Sequence, residues 1–156
     1  MSTHRDAEAA LRLERTFAAP PEAVFDAWTD PEVLRRWWAA GPGWGTPLAE
    51  VDLRPGGRYR LSMREGDGGA LHTVGGEYVE VRRPERLVYT WAWEGEPGDG
   101  GEGAGSLVTV RFLAEGAGTR VTIVHEGLPG ERNREMHARG WDACLDNLAS
   151  RVLGAA

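Results

Sequence analysis

The stretch Glu131 to Leu153 reads ERNREMHARGWDACLDNLASRVL. It holds no proline and one glycine, Gly140. His137, Trp141, Cys144, Leu145, Leu148 and Val152 recur at helical steps and share one side, while Arg132, Arg134, Glu135, Arg139, Asp142, Asp146 and Arg151 fall largely on the other. Its 23 residues predict roughly 34 Å of helix. A helix of that length crosses a small domain, and its apolar stripe must lie on something. The spacing also sets His137 and Trp141, near the helix start, over any hollow beneath it.

The rest of the chain supplies the opposing surface. Leu11 to Phe17 alternates and predicts a first strand, with Arg15 as a blemish on its apolar side. Pro20-Pro21 opens a short helix carrying Val24, Phe25 and Trp28. Asp30-Pro31 caps and starts a second, with Val33, Leu34, Trp37 and Trp38. Trp28 and one of Trp37 and Trp38 are expected to lock these helices to the body. Ala39 to Thr46 reads as a glycine-rich loop carrying Trp44.

Six further strands follow, at 47–53, 58–63, 71–81, 87–93, 107–113 and 119–126, each bounded by turn residues. Gly75-Gly76 predicts a bulge or sharp bend that curls the sheet. Glu94 to Ser106 (EGEPGDGGEGAGS) has no large apolar residue and predicts a flexible loop beside the mouth of any cavity. Short turns between consecutive strands imply antiparallel pairing. The fold class is therefore α+β: a curved antiparallel sheet of about seven strands around a long C-terminal helix, with two short helices after the first strand. Residues 1–10 read as a flexible tail and 11–156 as a single domain.

Composition narrows the function. A net charge of −6 argues against nucleic acid, which needs a basic face. All 18 basic residues are arginine, a coding bias that carries no functional information. One cysteine, Cys144, excludes an intramolecular disulfide. No signal-peptide pattern and no span-length apolar run is found, so a cytoplasmic protein without a membrane span is expected. GxGxxG in a strand–helix context, GxxxxGK[ST] and GxSxG are absent, which removes phosphate-loop and nucleophile-elbow readings.

Long aromatic side chains with polar tips suit a pocket wall. The expected cavity residues are Trp38, Tyr59, Leu61, Met63, His72, Tyr89, Trp91, Trp93, Phe112, His125, His137 and Trp141. The histidines show no ligand spacing and no second soft ligand, so no metal site and no cofactor are assigned. His125 and His137 are the candidates for orienting a ligand or moving a proton. No residue is assigned as catalytic, and whether the chain is an enzyme stays open.

Five segments together, PPEAVFDAWTDPEVLRRWW (20–38), VDLRPGGRYRL (51–61), GGEYVEVRRPERLVYTW (75–91), GTRVTIVHEGL (118–128) and GWDACLDNL (140–148), give the chain a family likeness. It resembles the helix-grip (START-like, SRPBCC) superfamily and, within it, proteins similar to the C-terminal domain of the activator of Hsp90 ATPase. The resemblance implies a cavity between sheet and helix for an apolar or amphipathic small molecule. It implies no reaction. A cyclase- or aromatase-like enzyme and a protein-interaction module, chaperone accessory or regulator partner, are the alternatives. The co-chaperone's first domain has no counterpart here, which disfavours an Hsp90-type partner. A homodimer is compatible with the sequence.

Overall fold

The structure, a computed structural model, describes residues 10–41, 43–94 and 106–154. Residues 1–9 of the expected tail and 95–105 of the expected acidic loop lie outside the described residues. The order is β1 (Leu11–Phe17), α1 (Pro21–Thr29), α2 (Pro31–Trp37), β2 (Trp44–Val51), β3 (Arg58–Glu65), β4 (Leu71–Arg82), β5 (Arg86–Trp93), β6 (Ser106–Glu115), β7 (Gly118–Glu126) and α3 (Glu131–Leu148). A π-helical turn, Ala149–Leu153, extends α3 until Gly154, at φ 85°, ends it. The seven strands form one antiparallel sheet in the order β1-β7-β6-β5-β4-β3-β2. Only the β1–β7 pairing is non-sequential, because α1 and α2 are inserted between β1 and β2. This is the curled sheet and long C-terminal helix of the helix-grip fold.

Local chemistry explains the elements. Pro21 and Pro31 stand at helix starts, where the missing N–H costs nothing. The Asp30 carboxylate accepts from the Glu32 N–H at 2.9 Å and caps α2. The Arg15 blemish has a use: its guanidinium reaches Asp146 at 2.9 Å and Asp142 at 3.6 Å on the polar side of α3. Both acids are exposed, so these pairs orient more than they stabilise.

Two local expectations need correction. Trp44 does not sit in a loop: β2 begins there, with Trp44 opposite Glu65 and Gly45 opposite Arg64, before the register slips ahead of Leu48. The bulge in β4 lies a few residues beyond the expected place: Gly75 is in register with Ala92, Gly76 and Glu77 pair with no residue of β5, and the register shifts between Tyr78 and Glu80. What Gly76 permits is close approach. A Cβ there would lie 2.1 Å from the Thr90 carbonyl oxygen. That carbonyl accepts instead from the Tyr59 hydroxyl at 2.6 Å, and the Thr90 hydroxyl accepts from the Glu77 N–H at 2.8 Å. Side chains thus replace ladder bonds where β4 and β5 press together.

The core is one contiguous cluster between the concave sheet face and the helices. Trp37 is fully buried and donates its indole N–H to the Ala27 carbonyl at 3.0 Å, holding α2 to α1. Trp28 and Trp38 are buried too, so all three tryptophans of the helical insertion are core, one more than expected. The two halves of α3 differ. Trp141, Cys144, Leu145, Asn147 and Leu148 are buried, whereas no residue from 131 to 140 is. Asn147 fixes the buried half by donating to the Trp37 and Ala39 carbonyls at 3.2 and 3.1 Å.

Gly76→Ala should cost more than about 2 kcal/mol, because the clash is with backbone that cannot turn aside. Urea unfolding measures it. A loss below about 0.5 kcal/mol would show that β4 and β5 do not approach as described.

Candidate functional site

Because the first half of α3 stands off the sheet, a hollow opens beneath it. Its volume is about 240 Å³. Trp38, Met63, His72, Trp91, Trp93, His137 and Trp141 line it, all of them among the residues expected from sequence. So do Ala40, Trp44, Asn133, Met136, Gly140 and Cys144, which were not. Asn133, Met136, His137, Gly140, Trp141 and Cys144 continue the α3 stripe by one turn toward its start. Extending the helical periodicity backward from His137 would have found Asn133 and Met136. Trp44 was missed because its glycine-rich surroundings read as loop.

Tyr59, Leu61, Tyr89, Phe112 and His125 do not line this hollow, and the reason is packing. Phe112 meets the Phe25 and Trp28 rings at 5.3 and 5.7 Å, so α1 fills the space below it. Tyr59 lies 5.2 Å from Tyr89 and 5.5 Å from Tyr78. The Tyr89 hydroxyl accepts from the Trp28 indole N–H at 3.3 Å. Between Tyr59, Leu61, Tyr89 and Trp28 about 20 Å³ is open, room for about one water; Tyr59 also borders an open, polar groove with Glu50, Arg58, Arg60 and Glu94. Burial, first of all, raises the Tyr59 phenol well above its ordinary value, so it stays protonated and donating.

The boundary between filled interior and hollow is a line of indoles. Trp141 stacks on Trp28 at 6.2 Å and meets Trp91 at 5.4 Å. Trp91 in turn meets Trp93 edge-on at 5.6 Å and Trp38 at 6.1 Å. Trp44 and His72 stack at 6.1 Å across the β2–β4 side, and Met136 is 56% exposed, which sets the mouth at the outer edge of α3.

Two indole N–H groups fix the two inner histidines. Trp141 donates to Nδ1 of His125 at 3.2 Å. With that lone pair taken, the imidazole proton sits on Nε2 and is donated to the Ser106 hydroxyl at 3.1 Å, which donates to the Trp91 carbonyl at 2.9 Å. Trp93 donates to Nε2 of His137 at 3.0 Å, so the His137 proton sits on Nδ1 and goes to the Asn133 carbonyl at 2.9 Å. Burial pushes His125 down to about 3, and the nearby His137 adds to the effect. His125 is thus neutral at physiological pH, with its Nδ1 lone pair occupied by the Trp141 N–H. Burial likewise pushes the Cys144 thiol up to about 12, which makes it inert packing at the pocket floor. Among the described residues no group of three or more His, Cys, Asp and Glu side chains could hold a metal, and no helix is long and apolar enough to cross a membrane.

The His125 arrangement has a pH consequence. Unfolded, the imidazole takes a proton near pH 6.5; folded, it does so only near pH 3. Between these values the unfolded chain binds more protons, so this contribution is intact above about pH 6.5 and erodes as pH falls, by about 1.4 kcal/mol per pH unit. His125→Gln should lose that slope. The stability gap between wild type and variant, followed by urea unfolding from pH 7 to pH 4.5, should shrink as pH drops. Parallel curves would refute the neutral, capped imidazole.

Comparison with known proteins follows the geometry. Residues 18–152 match the family described as activator of Hsp90 ATPase homolog 1-like protein. Protein CV1439 of Chromobacterium violaceum is 30% identical, with a TM-score of 0.78 over 90% of this chain and 95% of that one. The AHSA1 protein (SPO3351) of Silicibacter pomeroyi is 31% identical, at 0.78 over 92% and 96%. PFC0360w of Plasmodium falciparum, an HSP90 activator, is 27% identical, at 0.69 over 89% and 92%. No curated protein matches the sequence. The family match spans nearly the whole chain, and the protein belongs to the activator of Hsp90 ATPase homolog 1-like family, on the helix-grip fold.

Proposed function

We propose that this protein binds one small apolar or amphipathic molecule in the hollow beneath the first half of α3, and that binding rather than turnover is its task. The observation that carries this reading is an open volume walled by five indoles, beside an interior that is nearly closed around Trp28, Leu61 and Tyr89. Such concave, largely apolar sites with a few polar groups are where small molecules bind. The volume sets the scale. A cavity of about 150 Å³ takes one benzene, so the 240 Å³ beneath α3 suits a one- or two-ring group.

His125 and Cys144 are poorly placed to carry a proton, the one with its lone pair capped and the other held protonated, so turnover there would have to use His72 or His137. The reading also sets the protein in the cytoplasm, where its one thiol stays reduced.

Naphthalene tests the reading with the smallest assumptions. It should quench tryptophan fluorescence saturably and raise the melting temperature of the wild type. Gly140 offers a matched control: it lines the hollow, and an added Cβ would meet nothing within 4 Å. Gly140→Leu should fill the space, abolish naphthalene binding and keep or raise the melting temperature, leucine being the better helix former. Equal binding to wild type and Gly140→Leu, or none to wild type, would reject the reading.

A further inference from the structure

The wall of the hollow is built differently from the rest of the interior. Elsewhere the core mixes rings with aliphatic side chains such as Val24, Leu34, Leu87, Val108, Val110 and Ile123. Among the described residues lining the hollow there is no Leu, Ile, Val or Phe, and the large apolar side chains are five indoles and two methionines. Excluding water does not require this choice, since aliphatic surface does so equally well per unit area. What an indole adds is an electron-rich ring face, which attracts a cation lying over it. The rings stand at different angles around the space. Trp44 and Trp93 are half-buried and line it with surface still accessible, while Trp38, Trp91 and Trp141, 3–4% exposed, back them. Trp93 is perpendicular to Trp91 at 5.6 Å and tilted by 36° to Trp38 at 6.3 Å, and Trp44 stacks on His72. Charge agrees with the rings. The chain has 18 arginines and a net charge of −6, yet no arginine lies among the described residues lining the hollow. A cation is therefore drawn to the protein and meets no guanidinium on that wall.

We propose that the hollow is an aromatic cage for a quaternary ammonium group carried on a small apolar or one-ring body. This rests on the small-molecule reading above and names the ligand class. No carboxylate lines the hollow either, so a metal ion or a primary ammonium would lose its water without gaining a partner. A quaternary ammonium has no N–H to satisfy, and its charge is spread over its methyl groups, so ring faces suffice to hold it. Trp44 and Trp93 supply the accessible faces. The thioethers of Met63 and Met136 adapt to the rest of the ligand's shape.

Three probes share one phenyl ring and a compact tetrahedral group and differ in charge: phenyltrimethylammonium, tert-butylbenzene and benzenesulfonate. Each is titrated at pH 7.5 by tryptophan fluorescence. The wild type should take phenyltrimethylammonium about ten-fold tighter than tert-butylbenzene, and benzenesulfonate more weakly than either. Trp44→Leu, a change at the first residue of an edge strand that keeps apolar surface and removes one ring, should bring the cation-to-hydrocarbon ratio to about three or less, with circular dichroism confirming that it folds. Protein made with 5-fluorotryptophan keeps the shape of the wall but draws electrons from its rings. It should bind phenyltrimethylammonium about two-fold or more weakly and tert-butylbenzene as before. If tert-butylbenzene binds as tightly as phenyltrimethylammonium and Gly140→Leu blocks both, the cage is wrong and the binding reading stands. If benzenesulfonate binds tightest, or fluorination leaves the cation's affinity unchanged, the cage is overturned. If none of the three binds and naphthalene does not, both the cage and the binding reading are overturned.

Discussion

The placement of Trp141 against Trp28, Trp91 and His125 is the constraint from which the rest of the molecule follows. This one side chain stacks on the helical insertion, packs on the central strand β5 and donates a hydrogen bond to a buried imidazole on β7. It sits where α3 changes character. Beyond it, Cys144, Leu145, Asn147 and Leu148 seal the helix to α2 and the sheet. Before it, the helix has no buried residue. A wedge at that point props the first turns of α3 away from the sheet, and the hollow is the geometric result.

The same contact explains why the interior is divided. A curled sheet with a helix across it encloses more volume than the helix can fill. Here α1 and α2 take up the surplus on one side, through Phe25, Trp28 and Trp37. The aromatic residues of β3, β5 and β6 on that side are core, closed by tyrosine and tryptophan hydrogen bonds. Near the start of α3 the wall carries indoles as well, yet the space between them is left open. Filled and open regions therefore share one chemistry, and what differs is whether the helical insertion reaches them.

This is also why the fold was more legible in the sequence than the site. Period-two alternation in β3, β5, β6 and β7, the Pro20-Pro21 and Asp30-Pro31 starts and the stripe on α3 each express a local rule, and each element appeared where its rule put it. Trp44 broke the pattern because three neighbouring glycines and a proline mimic a loop, although β3 supplies a partner strand. The pocket wall depends on distance in space. Tyr59, Tyr89 and Phe112 alternate just as Trp91 and Met63 do, and no periodicity says which of them α1 will cover. The capping of His125 was equally hidden, since it joins Ser106, His125 and Trp141 from three elements. Gly140, the one glycine of the stretch, lies where the wall is kept thin.

A crystal structure under xenon pressure tests the division of the interior most directly, because xenon settles in apolar space without needing a particular chemistry. The account predicts xenon between Trp38, Trp91, Met136 and Gly140, under the first half of α3, and none on the far side of Trp141. Xenon lodged among Phe112, Trp28 and Tyr89, with the space under Gly140 unoccupied, would contradict it.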